Sequence, residues 1–488
     1  MFKKLSIKSI YGFAIIGAFL ISLSTSVFAT NEAMLDLLKI LRDKGSITHE
    51  EYELLVNAAR ADKEKAEGMA ADAREEAKKA GEDAIKDLPK VTTNGKLVIE
   101  DQDGDWSFQP IGRIFWDNMW VDDDGFDLAD GGIEESGSEL RRARLGFQAK
   151  FLKFFKSKLE LDFANPDEPS WKDVWISYNN KNAWGKWNIK LGQQHVPFGH
   201  ATISSSKYMP LMRRPLFGDG PQRARNVGVA FRQDSKDENR WFFHTGFFLE
   251  SHPEDDDEVN TDTGGDEGIF YAVRAGGTPI YRDKKHLIHI GGSYQYHQPN
   301  GDTFNNIDNA LLTHIGDGDT LEADFGTNTD EVNAFGAEVI GVWGPFHAVG
   351  EFVAWDVDDP DGEADLYAWA VDASWFFTGE SMKYKQGAFS GISPHKPLGK
   401  GGWGAWQIAA RIESMDLNDG LDIDGGEADV FTVGLNWYPV KNVRFMANWG
   451  TVLDFECKDT TTISFDGCNT SADGAEPHAF SLRSQVYW

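Results

Sequence analysis

The most cationic long connection in the sequence runs from His195 to Arg225. This stretch contains one acidic residue, Asp219. Its basic residues are Lys207, Arg213, Arg214, Arg223 and Arg225. A guanidinium group donates two parallel hydrogen bonds to a phosphate or carboxylate, whereas a lysine ammonium acts as a compact point charge. The stretch therefore predicts a site that attracts small anions. The alternative interpretation is that these arginines pair with acids elsewhere, such as Asp162 or Asp173.

No pattern typical of an enzyme active site accompanies this basic stretch. The sequence has no H-E-x-x-H, P-loop or G-x-S-x-G motif, and no G-x-G-x-x-G motif in a βαβ context. We therefore predict no catalytic residues, no metal site and no cofactor. The two cysteines, Cys457 and Cys468, enclose ten residues. In an oxidising compartment they are expected to form a disulfide that shapes their loop.

The elements that position these side chains follow a two-residue rhythm. Within 138–152, apolar residues recur at every second position and basic residues occupy the positions between them. Successive side chains of a strand point to opposite faces, so one face is apolar and the other cationic. The same parity places further basic side chains on polar strand faces. Those predicted by parity to line an interior are Arg113, Arg142, Arg144, Lys150, Lys190, Arg274 and Arg411.

Sixteen segments show this alternation. They centre near 113, 145, 160, 176, 190, 229, 245, 273, 291, 338, 351, 371, 410, 433, 448 and 484. Most have lengths close to the roughly 9–11 residues of a tilted membrane strand. Long connections, such as 195–224 and 298–331, alternate with short ones, which is typical of outer-membrane barrels. The pattern predicts an all-β, 16-stranded antiparallel transmembrane β-barrel. A soluble β-sandwich is the alternative, but it explains the aromatic residues at strand ends less well.

The segment before the barrel divides into two parts. Residues 1–29 combine a basic start, an apolar run and small residues before a predicted cleavage site after Ala29, as in a signal peptide. Residues 30–90 have helical periodicity, and we expect a helical or coiled-coil periplasmic arm. Gly45 is expected to interrupt it, and Thr48 with Glu51 forms a capping-box pattern. The barrel is then expected over 91–488.

An ordered set of motifs in the barrel region resembles the phosphate-selective porin O and P family. The motifs are Glu139–Phe147, Lys158–Ala164, Lys172–Trp175, Leu191–Gly199, Ser204–Met209, Arg213–Leu216 and Thr378–Glu380. The resemblance implies a trimeric 16-stranded barrel. It also implies that the third loop, the fifth loop and a long late turn fold into the lumen, and the long connection 378–402 stands where that turn would be. Two positions depart from the family pattern: Arg213 replaces a usual acidic residue, and Trp488 replaces a terminal Phe.

The resemblance and the basic third loop together predict a porin in the outer membrane of a Gram-negative bacterium. It would allow passive diffusion of small anions, of the phosphate type, and would not be an enzyme. Expected partners are outer-membrane lipid and lipopolysaccharide. The formal net charge of −30 argues against nucleic acid as a partner. The acidic outer loops keep a second interpretation open, a general or cation-preferring porin.

Overall fold

The computed structural model describes residues 34–86, 88–93, 95–122, 136–165, 169–220, 222, 224–237, 239–249, 268–299, 306–315, 320–324, 329–359, 362–419, 423–457 and 473–488. The chain divides into two units, Met1–Pro89 and Lys90–Trp488. The predicted signal peptide lies outside the described residues. Among those residues, no helix is both long enough and apolar enough to cross a bilayer.

The first unit contains two helices, α1 over 34–43 and α2 over His49–Lys86. Gly45 has a positive φ of 70°, which lets the chain leave α1 without strain. The backbone N–H of Thr48 donates to Glu51 Oε2 over 2.8 Å, and the backbone N–H of Glu51 donates to Thr48 Oγ1 over 3.3 Å. The predicted capping box therefore forms. Leu38, Tyr52 and Val56 make a small buried cluster.

The second unit is a closed antiparallel barrel, as predicted. We number its strands β1–β16. Their bounds are Ser107–Asp122, Gly137–Phe151, Phe155–Asp162, Ser170–Lys181, Gly185–His195, Arg225–Ser235, Trp241–Leu249, Ile269–Asp283, His286–Gln298, Glu331–Trp343, Phe346–Asp359, Gly362–Trp375, Ala405–Asp419, Ile423–Val440, Val443–Glu456 and His478–Tyr487. Each strand pairs with its neighbour in sequence, and β16 pairs with β1. A hairpin of Lys90–Thr92 and Val98–Glu100 extends β1.

Side-chain exposure follows the parity that the sequence predicts. On β1, Trp116 and Trp120 are 52% and 51% exposed, whereas Arg113 and Asp117 are buried. The large apolar side chains of the strands thus face outward, and the charged side chains of opposite parity face inward. This is the arrangement of a membrane barrel and the reverse of a soluble sandwich, in which the apolar face is buried.

The described residues of three connections pack against inward-facing side chains of the barrel wall. These connections are the third loop (196–224), the fifth loop (299–330) and the inner turn (376–404). Phe198 and Phe217 of the third loop pack with Ile307 of the fifth loop and with inward-facing wall residues such as Trp355. The inner turn contributes Tyr384 to a second cluster at the short-turn end.

Candidate functional site

The third loop is fixed to one side of the barrel interior by side chains of β13–β16. These wall side chains donate hydrogen bonds to backbone carbonyls of the loop. Because every residue has a backbone carbonyl, these contacts do not depend on which side chains the loop carries. The donor–acceptor pairs are Arg411–Arg213 O (3.3 Å), Asn436–Pro210 O (2.8 Å), Arg444–Met209 O (2.5 Å), Arg483–Met212 O (2.9 Å) and Gln485–Lys207 O (3.1 Å). Four strands thus hold one stretch of loop backbone.

The start of the loop is anchored on β11. A short helix, His200–Ile203, begins after Gly199, and the Glu351 carboxylate accepts the backbone N–H groups of His200 (2.7 Å) and Ala201 (2.9 Å). Gly199 has a φ of 49°, and a Cβ there would approach the Glu351 carboxylate to 2.3 Å. Glycine therefore permits both the backbone turn and the close approach of the carboxylate.

His200 also joins the third loop to the inner turn. Its Nδ1 lies 3.0 Å from Gly387 O, and its Nε2 lies 3.2 Å from Ser204 Oγ. Burial lowers the pKa of His200 to about 4, so the imidazole is neutral near pH 7. Because a carbonyl can only accept, Nδ1 carries the proton and Nε2 accepts from Ser204. The two inward segments therefore meet at one defined hydrogen bond.

The side of the barrel facing the loop carries a group of cations that we call the basic wall. It consists of Arg113, Arg142, Arg144, Lys158, Lys190 and Arg225. Glu160, Asp162 and Asp173 stand among them. The contacts are Arg113–Glu160 (2.7 Å), Arg144–Asp162 (2.6 Å), Lys158–Glu160 (2.5 Å), Lys158–Asp173 (2.5 Å), Arg225–Asp173 (3.6 Å) and Arg142–Asp162 (4.0 Å).

Cations outnumber carboxylates on this wall. In the part of the chain that the structure describes, three carboxylates serve five of the basic side chains, and the sixth, Lys190, has no carboxylate within 4 Å. Lys190 instead lies over the Trp175 ring, 4.8 Å from its centroid. Each of the four arginines of the basic wall has an acid within 4 Å, as the pairing interpretation expects, and the cation of this wall without one is Lys190.

Lys207 brings a further positive charge to the basic wall from the third loop. Its ammonium lies 5.6 Å and 5.4 Å from the ring centroids of Tyr208 and Tyr487. Within the described residues it has no carboxylate within 4 Å. Burial, followed by the nearby Arg113 charge, lowers the pKa of Lys207 to about 7. Its neighbour Ser206 accepts a hydrogen bond from Arg113 over 3.4 Å.

The other basic residues predicted for the third loop take different positions. The Arg214 guanidinium donates to Ser204 O over 2.8 Å. The Arg213 guanidinium points away from the basic wall and donates to Asn309 of the fifth loop over 3.3 Å. Arg223 lies outside the described residues. Lys150 of β2 pairs with Glu100 of the short hairpin over 3.1 Å.

Arg274 and Arg411 contact segments that fold into the barrel. Both point inward, but both are almost fully buried. Arg274 Nε donates to Glu338 over 2.9 Å and Arg274 Nη2 to Gly387 O of the inner turn over 2.8 Å. Arg411 Nε donates to Asp372 over 2.6 Å beneath the third loop. Both guanidinium groups thus contact a segment folded into the barrel, Arg274 the inner turn and Arg411 the third loop.

Sequence patterns gave no sign of the residues that hold the loop. Arg444 and Arg483 have inward parity, but parity does not show that they bind loop carbonyls. Asn436, Gln485 and Glu351 carry no motif at all. Their common signal is a polar side chain of inward parity on a strand, and many positions with other roles share it.

No group of three or more His, Cys, Asp or Glu side chains in the described ranges is arranged to hold a metal ion. Cys457 is disulfide-bonded. Cys468 lies outside the described residues, so the predicted Cys457–Cys468 pairing stays a prediction.

Comparisons with known proteins place the barrel region in a sequence family. The family described as phosphate-selective porin O and P matches residues 117–488. An uncharacterized protein of Caulobacter vibrioides is 27% identical over 364 residues, which cover 72% of this chain and 70% of that protein. An anion-selective porin from Comamonas acidovorans covers 78% of this chain and all of its own, with 11% identity and a TM-score of 0.47. A loop-deletion mutant of OmpT, an outer membrane protein of Vibrio cholerae, covers 79% of this chain and all of its own, with 12% identity and a TM-score of 0.47.

Proposed function

The chain belongs to the phosphate-selective porin O and P family, and we propose that this outer-membrane porin conducts small anions, of the phosphate type, between its basic wall and its third loop. The family and the closed barrel favour a channel over an enzyme. The homotrimer and the lipopolysaccharide contacts expected from the resemblance stay part of this proposal, as does the periplasmic position of the helical arm.

The observation that carries the proposal is the excess of positive charge on the basic wall. Its six cations face three carboxylates, and Lys207 adds a seventh cation from the loop. In a narrow pore, clustered arginine and lysine side chains favour anions and replace part of their hydration. The guanidinium groups suit phosphate oxygens because they donate in pairs.

The third loop supports the proposal because it narrows the space on the side opposite the basic wall. Its backbone is fixed by donors from β13–β16, so a solute in the lumen is held toward the cations. Electrostatic selection is strongest where a solute cannot move beyond the screening distance of about 8–10 Å at ordinary salt.

The second candidate function, a general or cation-preferring porin, is favoured by the acidic strand ends. Asp356 lies directly opposite Asp365 on β11–β12, and Glu427 lies opposite Glu456 on β14–β15. These carboxylates repel anions at the long-loop end. Ion selectivity separates the two candidates, because an anion path along the basic wall and a cation preference set by the acidic end give reversal potentials of opposite sign.

The test is the reversal potential of the purified porin in a planar bilayer under a salt gradient. The variant Lys190→Gln plus Lys207→Gln removes two lysines, one on the basic wall and one on the third loop, that have no carboxylate within 4 Å among the described residues. A unit charge about 6 Å from an ion in a water-like dielectric contributes about 0.7 kcal/mol to its interaction with that ion. Each substitution is therefore expected to lower the anion-to-cation permeability ratio about threefold. Phosphate added to a chloride solution is expected to reduce the wild-type current and to affect the variant less.

The control is Arg213→Gln, which removes one positive charge from the third loop at a side chain that contacts Asn309 of the fifth loop. It is expected to leave the permeability ratio near that of the wild type. A fall in the ratio for Arg213→Gln, with no change in the double variant, would place the anion path away from the basic wall. A cation-selective wild-type channel would favour the second candidate.

The pH dependence of the ion selectivity provides an independent test of the role of Lys207. A lysine loses its positive charge as the pH rises through its pKa, and burial brings that pKa to about 7. Anion preference is therefore expected to decline between about pH 6 and pH 8 in the wild type, and Lys207→Gln is expected to remove most of this dependence. Equal pH dependence in both proteins would exclude Lys207 as its source.

A further inference from the structure

An apolar groove runs along the outer surface of the barrel near the short-turn end. It has a volume of about 630 Å³, within the ~300–1,000 Å³ of small-molecule sites. Small residues of neighbouring strands form its floor, where Ala348 pairs with Ala373 and Ala373 with Ala410. A Cβ added to Gly341 would meet no atom within 4 Å, so the floor is open to the outside.

Exposed aromatic and aliphatic side chains form the sides of the groove. Trp343, Phe346, Trp375 and Ile408 are each between 42% and 54% exposed. Phe346 and Trp375 stack with their ring centroids 5.6 Å apart. Aromatic rings therefore line the sides of the groove. They lie at the level where aromatic residues of barrels meet the lipid headgroups.

The end of the groove nearest the short turns is cationic. The Arg282 guanidinium lies over the Trp343 ring, 4.9 Å from its centroid, and the His286 ring lies 5.2 Å from the same ring. Lys284 and Lys285 form the turn between them, and one acid, Asp283, contacts His286 over 3.0 Å. Three permanent positive charges and one negative charge therefore border the mouth of the groove.

We infer that this groove binds one acyl chain of a phospholipid whose anionic headgroup is held by Arg282 and Lys285. The inference rests on the membrane placement in the proposed function, in which the short turns lie on the phospholipid side of the outer membrane. Charge complementarity argues for this occupant, because the phosphate of an anionic lipid neutralises the cationic mouth of the groove.

Native mass spectrometry of the purified porin tests this site. The probes are phosphatidylglycerol and phosphatidylcholine with identical acyl chains, titrated separately in detergent. One tightly bound phosphatidylglycerol per chain is expected, with weaker phosphatidylcholine binding. Arg282→Gln plus Lys285→Gln is expected to weaken phosphatidylglycerol binding about thirtyfold. Ala373→Phe, which fills the floor, is expected to abolish the tight binding.

Two variants with matched changes serve as controls. Lys181→Gln plus Lys186→Gln removes two exposed, directly paired lysines elsewhere on the same rim. Ala447→Phe enlarges an outward-facing alanine on β15. Both are expected to retain the tight binding. Equal binding of the two lipids to all variants would overturn the inference in favour of unspecific lipid contact, and dissociation of the oligomer by Ala373→Phe would overturn it in favour of a subunit interface. Neither result depends on ion selectivity.

Discussion

Arg444 provides the sharpest test of how the third loop is held. Its guanidinium is fully buried and donates to Met209 O over 2.5 Å and to Ser206 O over 3.3 Å, both in the loop. It also donates to Gln485 of the neighbouring strand over 2.7 Å. Among the described residues no carboxylate lies within 4 Å of it. The charge of Arg444 is thus balanced by oxygen dipoles, two of which belong to the loop.

The substitution Arg444→Met removes the two donors and keeps an unbranched side chain. Hydrogen bonds from a charged donor contribute about 1.5–3 kcal/mol each, so the two loop bonds together contribute about 3–6 kcal/mol. Removing a buried charge that has no carboxylate partner regains part of this, since desolvation costs several kcal/mol per ion. A net loss of about 2 kcal/mol for the bound loop corresponds to an increase of about thirtyfold in its released fraction.

Single-channel recording in a planar bilayer measures this fraction. Release of the loop changes the open area, so Arg444→Met is expected to show brief conductance substates about thirtyfold more often than the wild type. The other four anchoring side chains remain, so the main conductance level is expected to persist. Arg232→Met is the matched control, because Arg232 pairs with Asp234 over 2.8 Å and contacts the inner turn instead of the third loop.

Two outcomes would contradict this account of the anchor. Identical substate frequencies in the wild type and in Arg444→Met would mean that the carbonyl contacts do not hold the loop. Equal increases in Arg444→Met and Arg232→Met would point to a general loosening of the barrel.

Two further predictions concern a buried ion pair and the helical arm. Arg274→Met leaves the buried Glu338 without its guanidinium partner and is expected to lower the free energy of unfolding of the barrel by about 3–5 kcal/mol. Equilibrium denaturation measures this loss, and adding Glu338→Gln to the variant is expected to recover part of it. No recovery would contradict the pairing. Thr48→Ala is expected to lower the stability of α2 by about 1 kcal/mol, measured from helical circular dichroism. The backbone N–H and the hydroxyl of Thr48 lower the pKa of the Glu51 carboxyl, so the contribution of this carboxylate is complete above about pH 4.3 and is lost as the pH falls through the lowered pKa. An unchanged acid response in Glu51→Gln would contradict this.

The positions of the strands and the faces of their side chains could be predicted from the sequence because both depend on local backbone geometry. Alternation of side chains is a property of an extended backbone, so Trp116 and Arg113 take opposite faces whatever surrounds them. All sixteen predicted centres fall within the strands of the barrel. The capping box of Thr48 and Glu51 is equally local, since both partners lie within one helical turn.

The candidate site was accessible only in part. The sequence identified the third loop as basic, and Lys207 does face the basic wall. It did not distinguish Lys207 from Arg213, which stands six residues further on and points to the fifth loop. The direction of a loop side chain depends on the path of the loop backbone, and that path is set here by donors on β13–β16.

The amino-acid sequence by itself determined the alternation that makes one face of each strand apolar, and with it the closed barrel and the inward direction of the charges. Only the tertiary structure decided which partners the inward charges have. Arg483 pairs with Asp117, 366 residues away in sequence, and Arg444 reaches a carbonyl 235 residues away. Such pairs form only because barrel closure and the inward path of the third loop bring distant segments together. In the same way the inner turn contacts Arg274 and the third loop contacts Arg411, while Lys190 and Lys207 keep no carboxylate partner among the described residues.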